Sequence, residues 1–302
     1  MHHFFIKQNK MMGLTKVNED WVPLQTKVFS RWVSNQLQSF TKIEVNDIQK
    51  DLSNGVALVE LATELTKKKP LRQWCQAPKR NVDMVQNCDL AIDMFTKDGV
   101  KLVGISGKDI SDNNQKLIMG LIWSLILHYS IDNSMLLNSS LNETKINNQL
   151  SNPQIKPNYN PQDELLSWAI HHTNKYQNVN NFEPYDLAMC ALLDSFYPDK
   201  IKFNSLEADD HEHNAKLVFD VMNELGIACF IYPEDLKKNQ YKVDERTLLT
   251  QLAAVKYVSD ENEIQQKGRE IAFSSPEELR IKKEVELARA KLQKENEEKE
   301  QE

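Results

Sequence analysis

The side chains best suited to chemistry are four cysteines, one histidine-rich turn and one run of lysines. Cys75, Cys88, Cys190 and Cys229 lie far apart and form no C-x-x-C pair. That spacing argues against a zinc site or a disulfide framework and for a reduced, intracellular protein. His211-Glu212-His213 beside Asp209-Asp210 has the residue types to attract a metal. It stands in a polar approach to a helix with no cage around it, so a solvated loop is the better reading. No P-loop, Rossmann glycine pattern, nucleophile elbow or EF-hand loop occurs. The chain therefore reads as a non-enzyme, with no catalytic residue, metal or cofactor expected. What remains is electrostatic. Lys67, Lys68, Lys69, Arg72, Lys79 and Arg80 make a basic stretch between two helices. Such a run is usually a solvated face; the functional alternatives are a phosphoinositide membrane surface or an acidic protein.

The chain must position these groups with 302 residues, 40% of them hydrophobic, which is enough for two domains and tails. Only 8 Gly and 10 Pro disfavour a turn-dense β-sandwich and favour helices. The formal net charge of −7 is unevenly spread. Residues 20–131 hold 14 Lys and Arg against 12 Asp and Glu, whereas residues 161–258 hold 9 against 16. The first half is mildly basic and suited to an acidic surface, and the second is acidic. No nucleic-acid partner is expected.

The elements follow from apolar spacing. Residues 18–38 read as an amphipathic helix with Val28, Phe29, Trp32, Val33 and Leu37 inward and Gln25, Lys27, Arg31 and Gln36 on the wet face. Residues 47–66 read as a second helix in which Gly55 permits close approach of a neighbouring backbone. Residues 81–96 read as a third, with Val82, Val85, Leu90, Ile92 and Phe95 mostly inward. After the turn at Lys97-Asp98-Gly99 comes the stretch that organises the rest. It is a helix capped by Asp112, Asn113 and Asn114 and apolar on almost every face from Leu117 to Leu127. That run is too short to span a bilayer.

Residues 1–19 are expected to be a flexible tail and 132–160 an Asn/Ser/Pro-rich linker. After the linker the pattern restarts. Leu165, Leu166, Trp168 and Ala169 stand where Val28, Phe29, Trp32 and Val33 stood. Gly99 to Gly226 is an offset of 127 and Ile110 to Leu236 one of 126. A near-constant offset means internal duplication of one helical domain. The sequence thus predicts an all-α protein with a first domain at 20–131, a second at 161–258, and a charged helical tail at 259–302. In the tail, Ser274-Ser275-Pro276 starts a helix. Ile281, Val285, Ala288 and Leu292 span about two heptads, short of a convincing coiled coil, so self-association there would be weak.

Several of these segments, in order, resemble tandem calponin-homology domains of the filamin, alpha-actinin and cortexillin type. The residues that carry the resemblance are Phe29-Ser30-Arg31-Trp32-Val33, Asp51 to Leu58, Lys101-Leu102-Val103-Gly104-Ile105, Asn114 to Leu127, Pro233-Glu234-Asp235-Leu236 and Val243-Asp244-Glu245-Arg246. Where many relatives have Asp-Gly before the long helix of the second domain, this chain has Tyr185-Asp186-Leu187.

The resemblance implies binding to filamentous actin, as a cytoskeletal binding or crosslinking protein of the cytoplasm and cell cortex. The alternative is a cortical adaptor that uses the basic stretch, and a microtubule-directed module is less favoured. The implied filament-facing residues are Gln25, Lys27, Arg31 and Gln36; Lys108, Asp109, Asn113, Asn114, Lys116 and Trp123; and, in the second domain, Asp163, Ser167 and His171. Trp123 has two readings, as one more core residue or as a face that stacks on Arg246 of the second domain.

Overall fold

The computed structural model describes residues 22–38, 41–132, 160–180, 182–236 and 243–273, with side chains to residue 262. Residues 1–19, most of the expected linker, and the helix start and heptads of the tail lie outside the described residues. Met1–Lys256 forms one compact unit and Tyr257–Glu302 another. Among the described residues there is no strand, only an isolated bridge between Asn180 and Glu183.

The first half of the duplication contains α1 (Val22–Gln38), α2 (Ile48–Leu52), α3 (Val56–Thr66), α4 (Asn81–Lys97), α5 (Gly107–Ser111) and α6 (Gln115–Ile126), which runs into a π-helical turn (Leu127–Asp132). Helix α6 is the centre: it packs on α1, α2 and α5. It buries Ile118, Met119, Leu121, Ile122, Trp123, Leu125 and Ile126. Asn114 alone of the three expected caps holds its first turn, accepting from the Leu117 N–H at 3.3 Å. Helix α1 presents Val28, Phe29, Trp32, Val33 and Leu37 to the core. Its Trp32 indole donates to the Ser130 hydroxyl at 2.9 Å, tying α1 to the π-helical turn.

The single helix expected over 47–66 is instead two. The chain breaks between α2 and α3 at Gly55, whose φ of +76° is left-handed. A Cβ there would lie 2.5 Å from the Asn87 Cβ and 2.8 Å from the Cys88 backbone nitrogen. The break thus lets α4 approach where only glycine fits. Buried Asn87 uses that proximity. Its amide donates to the Asn54 and Cys75 carbonyls at 3.3 and 2.8 Å, and its oxygen accepts from the Cys75 N–H at 3.0 Å. The expectation that Val82 packs inward is corrected. It is 50% exposed, because the first turn of α4 stands beside exposed Arg80 and Asn81.

The second half holds α7 (Pro161–Thr173), α8 (Tyr185–Phe196), a 3-10 turn (Phe203–Ser205), α9 (His211–Glu224), a 3-10 turn (Pro233–Asp235) and α10 (Glu245–Phe273). The core helix expected at Thr247–Ala253 therefore continues as one helix to Phe273. The duplication is visible bond by bond. Helix α4 ends with Gly99 N–H donating to Thr96 and Val100 N–H to Phe95. Helix α9 ends with Gly226 N–H donating to Asn223 and Ile227 N–H to Met222. Both glycines have positive φ, and Val100 and Ile227 are both buried, as this helix-ending motif requires.

Gly55→Ala is expected to lower stability by about 1–3 kcal/mol from the strained backbone alone. Gly120→Ala, in mid-α6 where a Cβ meets nothing within 4 Å, raises it by roughly 0.5–1 kcal/mol. Urea unfolding of the two variants checks both signs.

Candidate functional site

The first candidate face is on α1, and the second half of the duplication occupies most of it. Arg31 donates to the Phe230 carbonyl at 2.8 Å, bonds the Asp235 carboxylate, and stacks its guanidinium 3.6 Å from the centre of the Tyr232 ring. Lys27 reaches the same carboxylate at 2.8 Å. Asp235 itself is 1% exposed. Its burial alone would raise the pKa, but the bonds from Arg31 and Lys27 outweigh that and hold it below the ordinary carboxylate range. Asp235 also accepts from the Tyr232 N–H at 3.1 Å, closing the turn that carries it.

Six residues before Arg31 on α1, the Gln25 amide donates to Asp244 at 2.9 Å. Asp244 in turn accepts from the N–H groups of Arg246 and Thr247, both at 3.1 Å, and so caps α10. That cap sets Arg246 with its guanidinium 5.3 Å from the centre of the Trp123 ring. On its own domain Trp123 stacks on Phe29 at 6.3 Å with an 8° interplanar angle. Its two readings are therefore compatible: Trp123 is buried and also meets Arg246. Gln251 holds the facing segment in place, accepting from the Phe230 N–H at 2.7 Å and donating to the Ala228 carbonyl at 2.9 Å.

The expectation that Gln25 lies on a wet face is corrected, since it is 2% exposed beneath the second half. Periodicity within α1 could not show this cover, because its source lies 219 residues away. Trp123 is likewise covered rather than offered to solvent, Arg31 is partly buried, and Gln36 is intermediate.

The second group is open to solvent. Lys108, Asn113, Asn114 and Lys116 are exposed around the junction of α5 and α6. Lys108 pairs with Asp112 one turn on. Asp109 closes the first turn of α5 with Ser106, accepting from its N–H at 2.9 Å. The third group, Asp163, Ser167 and His171, is exposed at i, i+4 and i+8 along one face of α7.

The six basic residues between α3 and α4 are all exposed, yet four hold carboxylates. Lys67 pairs with Glu64, Lys68 with Asp98 at 2.6 Å, Arg72 with Asp93 at 3.0 Å and Arg80 with Asp83 at 2.6 Å. Lys69 and Lys79 have no ion pair among the described residues. The local field is much weaker than six cations suggest. The His211-Glu212-His213 turn is not a solvated loop. It opens α9, and His211 turns its Nδ1 onto the buried Asp186 carboxylate at 3.1–3.2 Å. Among the described residues no group of three or more side chains could hold a metal. Burial pushes the Cys88 and Cys229 thiols up to about 12, away from nucleophilic use.

The calponin homology (CH) domain model matches residues 23–131 and again 160–257. This chain belongs to the calponin homology family. Its two CH domains stand in tandem. Alpha-actinin-like protein 1 of Schizosaccharomyces pombe is 30% identical over 240 residues, covering 77% of this chain and 35% of that protein. Alpha-actinin A of Dictyostelium discoideum is 29% identical over 243 residues, covering 78% and 26%. Interaptin of the same organism is 29% identical over 243 residues, covering 79% and 13%. The chain thus spans 13 to 35% of the length of these relatives. The actin-crosslinking core of Schizosaccharomyces pombe fimbrin shares the fold. Its TM-score is 0.57 at 20% identity, over 80% of this chain and 49% of that one.

Sequence reasoning missed Phe230, Tyr232, Asp235 and Asp244 as contact residues. Two of the segments that marked the CH resemblance, Pro233 to Leu236 and Val243 to Arg246, contained the signal. Nothing in their local pattern says that they face another domain.

Because Asp235 has its lowered pKa only when Arg31 and Lys27 reach it, the docked arrangement binds fewer protons than the separated one. The contribution of Asp235 to docking is therefore fully present above the ordinary carboxylate pKa of about 4 and is lost as pH falls through the depressed value. Energy transfer between probes on the two CH domains is expected to fall over that acid range. Asp235→Asn is expected to flatten the profile.

Proposed function

We propose that this chain binds filamentous actin through its first CH domain, as a cytoskeletal binding module of the cytoplasm and cell cortex and not as an enzyme. The single observation that carries the reading is the tandem: two CH matches cover both halves of the duplication. It is supported by relatives whose names include alpha-actinin. The domain limits adopted are 20–131 and 161–258, joined by 132–160.

Within the first domain, the exposed junction of α5 and α6, with Lys108, Asp109, Asn113, Asn114 and Lys116, is the surface free to meet a filament. Gln25, Lys27, Arg31, Gln36 and Trp123 form a second part of the face that the second CH domain partly covers. Asp163, Ser167 and His171 offer a minor third contact from α7. Masking follows from geometry: a filament cannot take Arg31 or Gln25 while Asp235 and Asp244 hold them. Crosslinking, as opposed to binding, needs a second filament site per particle. In this reading self-association through the C-terminal helix would supply it. The cortical-adaptor reading has less support, because most of the basic loop is neutralised by its own carboxylates.

Co-sedimentation with filamentous actin tests this. Arg246→Glu removes a cation–π contact of ~0.5–2 kcal/mol, so affinity is expected to rise by about two- to thirtyfold if masking operates. Lys108→Glu combined with Lys116→Glu is expected to weaken binding. Pelleting at low centrifugal force would report crosslinks, and pelleting only at high force would report binding alone. Absence of pelleting by the parent chain and by Arg246→Glu would overturn the filament reading.

A further inference from the structure

The two CH domains also touch at a place that the α1 contacts do not include. Helix α7, the first of the second domain, packs against the π-helical turn Leu127–Asp132 that ends the first. That turn is fixed within its own domain. The Trp32 indole donates to Ser130 at 2.9 Å, and the Tyr129 hydroxyl donates to the Asp98 carboxylate at 2.8 Å. The Tyr129 ring lies 6.3 Å from that of Phe95, and Ile131 is fully buried. Neighbouring residues of α1 thus serve different contacts: Arg31 reaches Asp235, and Trp32 holds the turn on which α7 rests.

The two contacts differ in kind and in tether. The α1 contact is made by charged and polar side chains that water reaches, with Lys27 at 55% and Arg31 at 21% exposure. Water or another partner can replace such groups one for one, so this contact separates readily. The α7 contact is tied to the covalent connection. The chain leaves the first domain at Asp132, the last residue of the turn. It enters the second at Asn160, which caps α7 by accepting from the Gln162 N–H at 3.1 Å. Both ends of the connection therefore lie at this contact, which re-forms at the higher effective concentration of the two.

We propose that α7 on the π-helical turn is the hinge of the tandem, and that the Arg31–Asp235, Gln25–Asp244 and Trp123–Arg246 contacts are its latch. Releasing the latch turns the second CH domain about the turn and leaves α7 seated, so the domains open without separating. Opening uncovers Gln25, Lys27, Arg31 and Trp123, while Asp163, Ser167 and His171 on α7 keep their place relative to the first domain. This goes beyond the filament-binding reading and does not rest on it, since it concerns how one domain moves on the other.

Double electron–electron resonance on the full chain tests this without actin. Spin labels enter on non-natural side chains, so the cysteines stay native. One pair, at exposed Asn35 on α1 and exposed Glu234, reads the latch. The other, at exposed Lys97 beside the turn and exposed Glu164 on α7, reads the hinge. In Asp235→Asn combined with Arg246→Glu, the Asn35–Glu234 distance is expected to lengthen and broaden, while the Lys97–Glu164 distance keeps the mean and width of the parent. Gln25→Ala combined with Arg246→Glu is expected to do the same, and it leaves the turn closed by Asp235 intact. Lengthening of both distances together would overturn the proposal, because the domains then part as whole bodies. An Asn35–Glu234 distance unmoved in both variants would also overturn it, because those contacts then latch nothing. Each result leaves the filament reading standing, and a failure to bind actin leaves this one standing.

Discussion

The carboxylate of Asp235 meets two demands at once. Within its own domain it closes a 3-10 turn by accepting from the Tyr232 N–H, and across the domain boundary it receives Arg31 and Lys27. A buried carboxylate without partners would be costly, and removing a partner from a buried pair costs about 3–5 kcal/mol. Arg31, itself only 21% exposed, supplies the larger part of that compensation. Lys27, at 55%, is screened by solvent and adds less. The ionised Asp235 carboxylate is thus one of the groups that hold α1 against the second CH domain, beside the Gln25–Asp244 bond and the Arg31 contacts with Phe230 and Tyr232.

The duplication explains how such a group arose. Asp109 and Asp235 stand 126 positions apart, as do Ser106 and Tyr232. In the first domain Asp109 accepts from Ser106 and closes the start of α5. In the second domain Asp235 closes the equivalent turn, and the same carboxylate also takes up the cations of α1. One local device, repeated, serves the helix start alone in one copy and the helix start plus the domain contact in the other. The same economy holds at Asp244. It caps α10, accepts Gln25, and by capping sets Arg246 over Trp123.

The charge difference between the two halves takes on a second meaning here. A basic first half beside an acidic second half suits an acidic external partner, yet part of that complementarity is satisfied inside the molecule, by Lys27 and Arg31 against Asp235. The junction of α5 and α6 in the first CH domain stays open to solvent. The basic loop between α3 and α4 is similarly quieter than its composition suggests, because Glu64, Asp83, Asp93 and Asp98 are folded against it.

What the sequence by itself determined was everything carried by short-range periodicity and by repetition. That includes the all-helical class, the inward stripe of α1, the central place of α6, the helix-ending glycines and the duplicated order of elements. These depend on spacings of three, four and about 126 residues, all of which a single chain displays. Only the tertiary structure decided the break at Gly55, where α4 comes too close for a side chain, and the burial of Gln25, whose partner lies 219 residues away. It also decided that Trp123 serves the core and the domain contact together. Polar residues at helical spacing look alike whether they face water or a second domain. The difference lies in long-range packing, which local pattern does not encode.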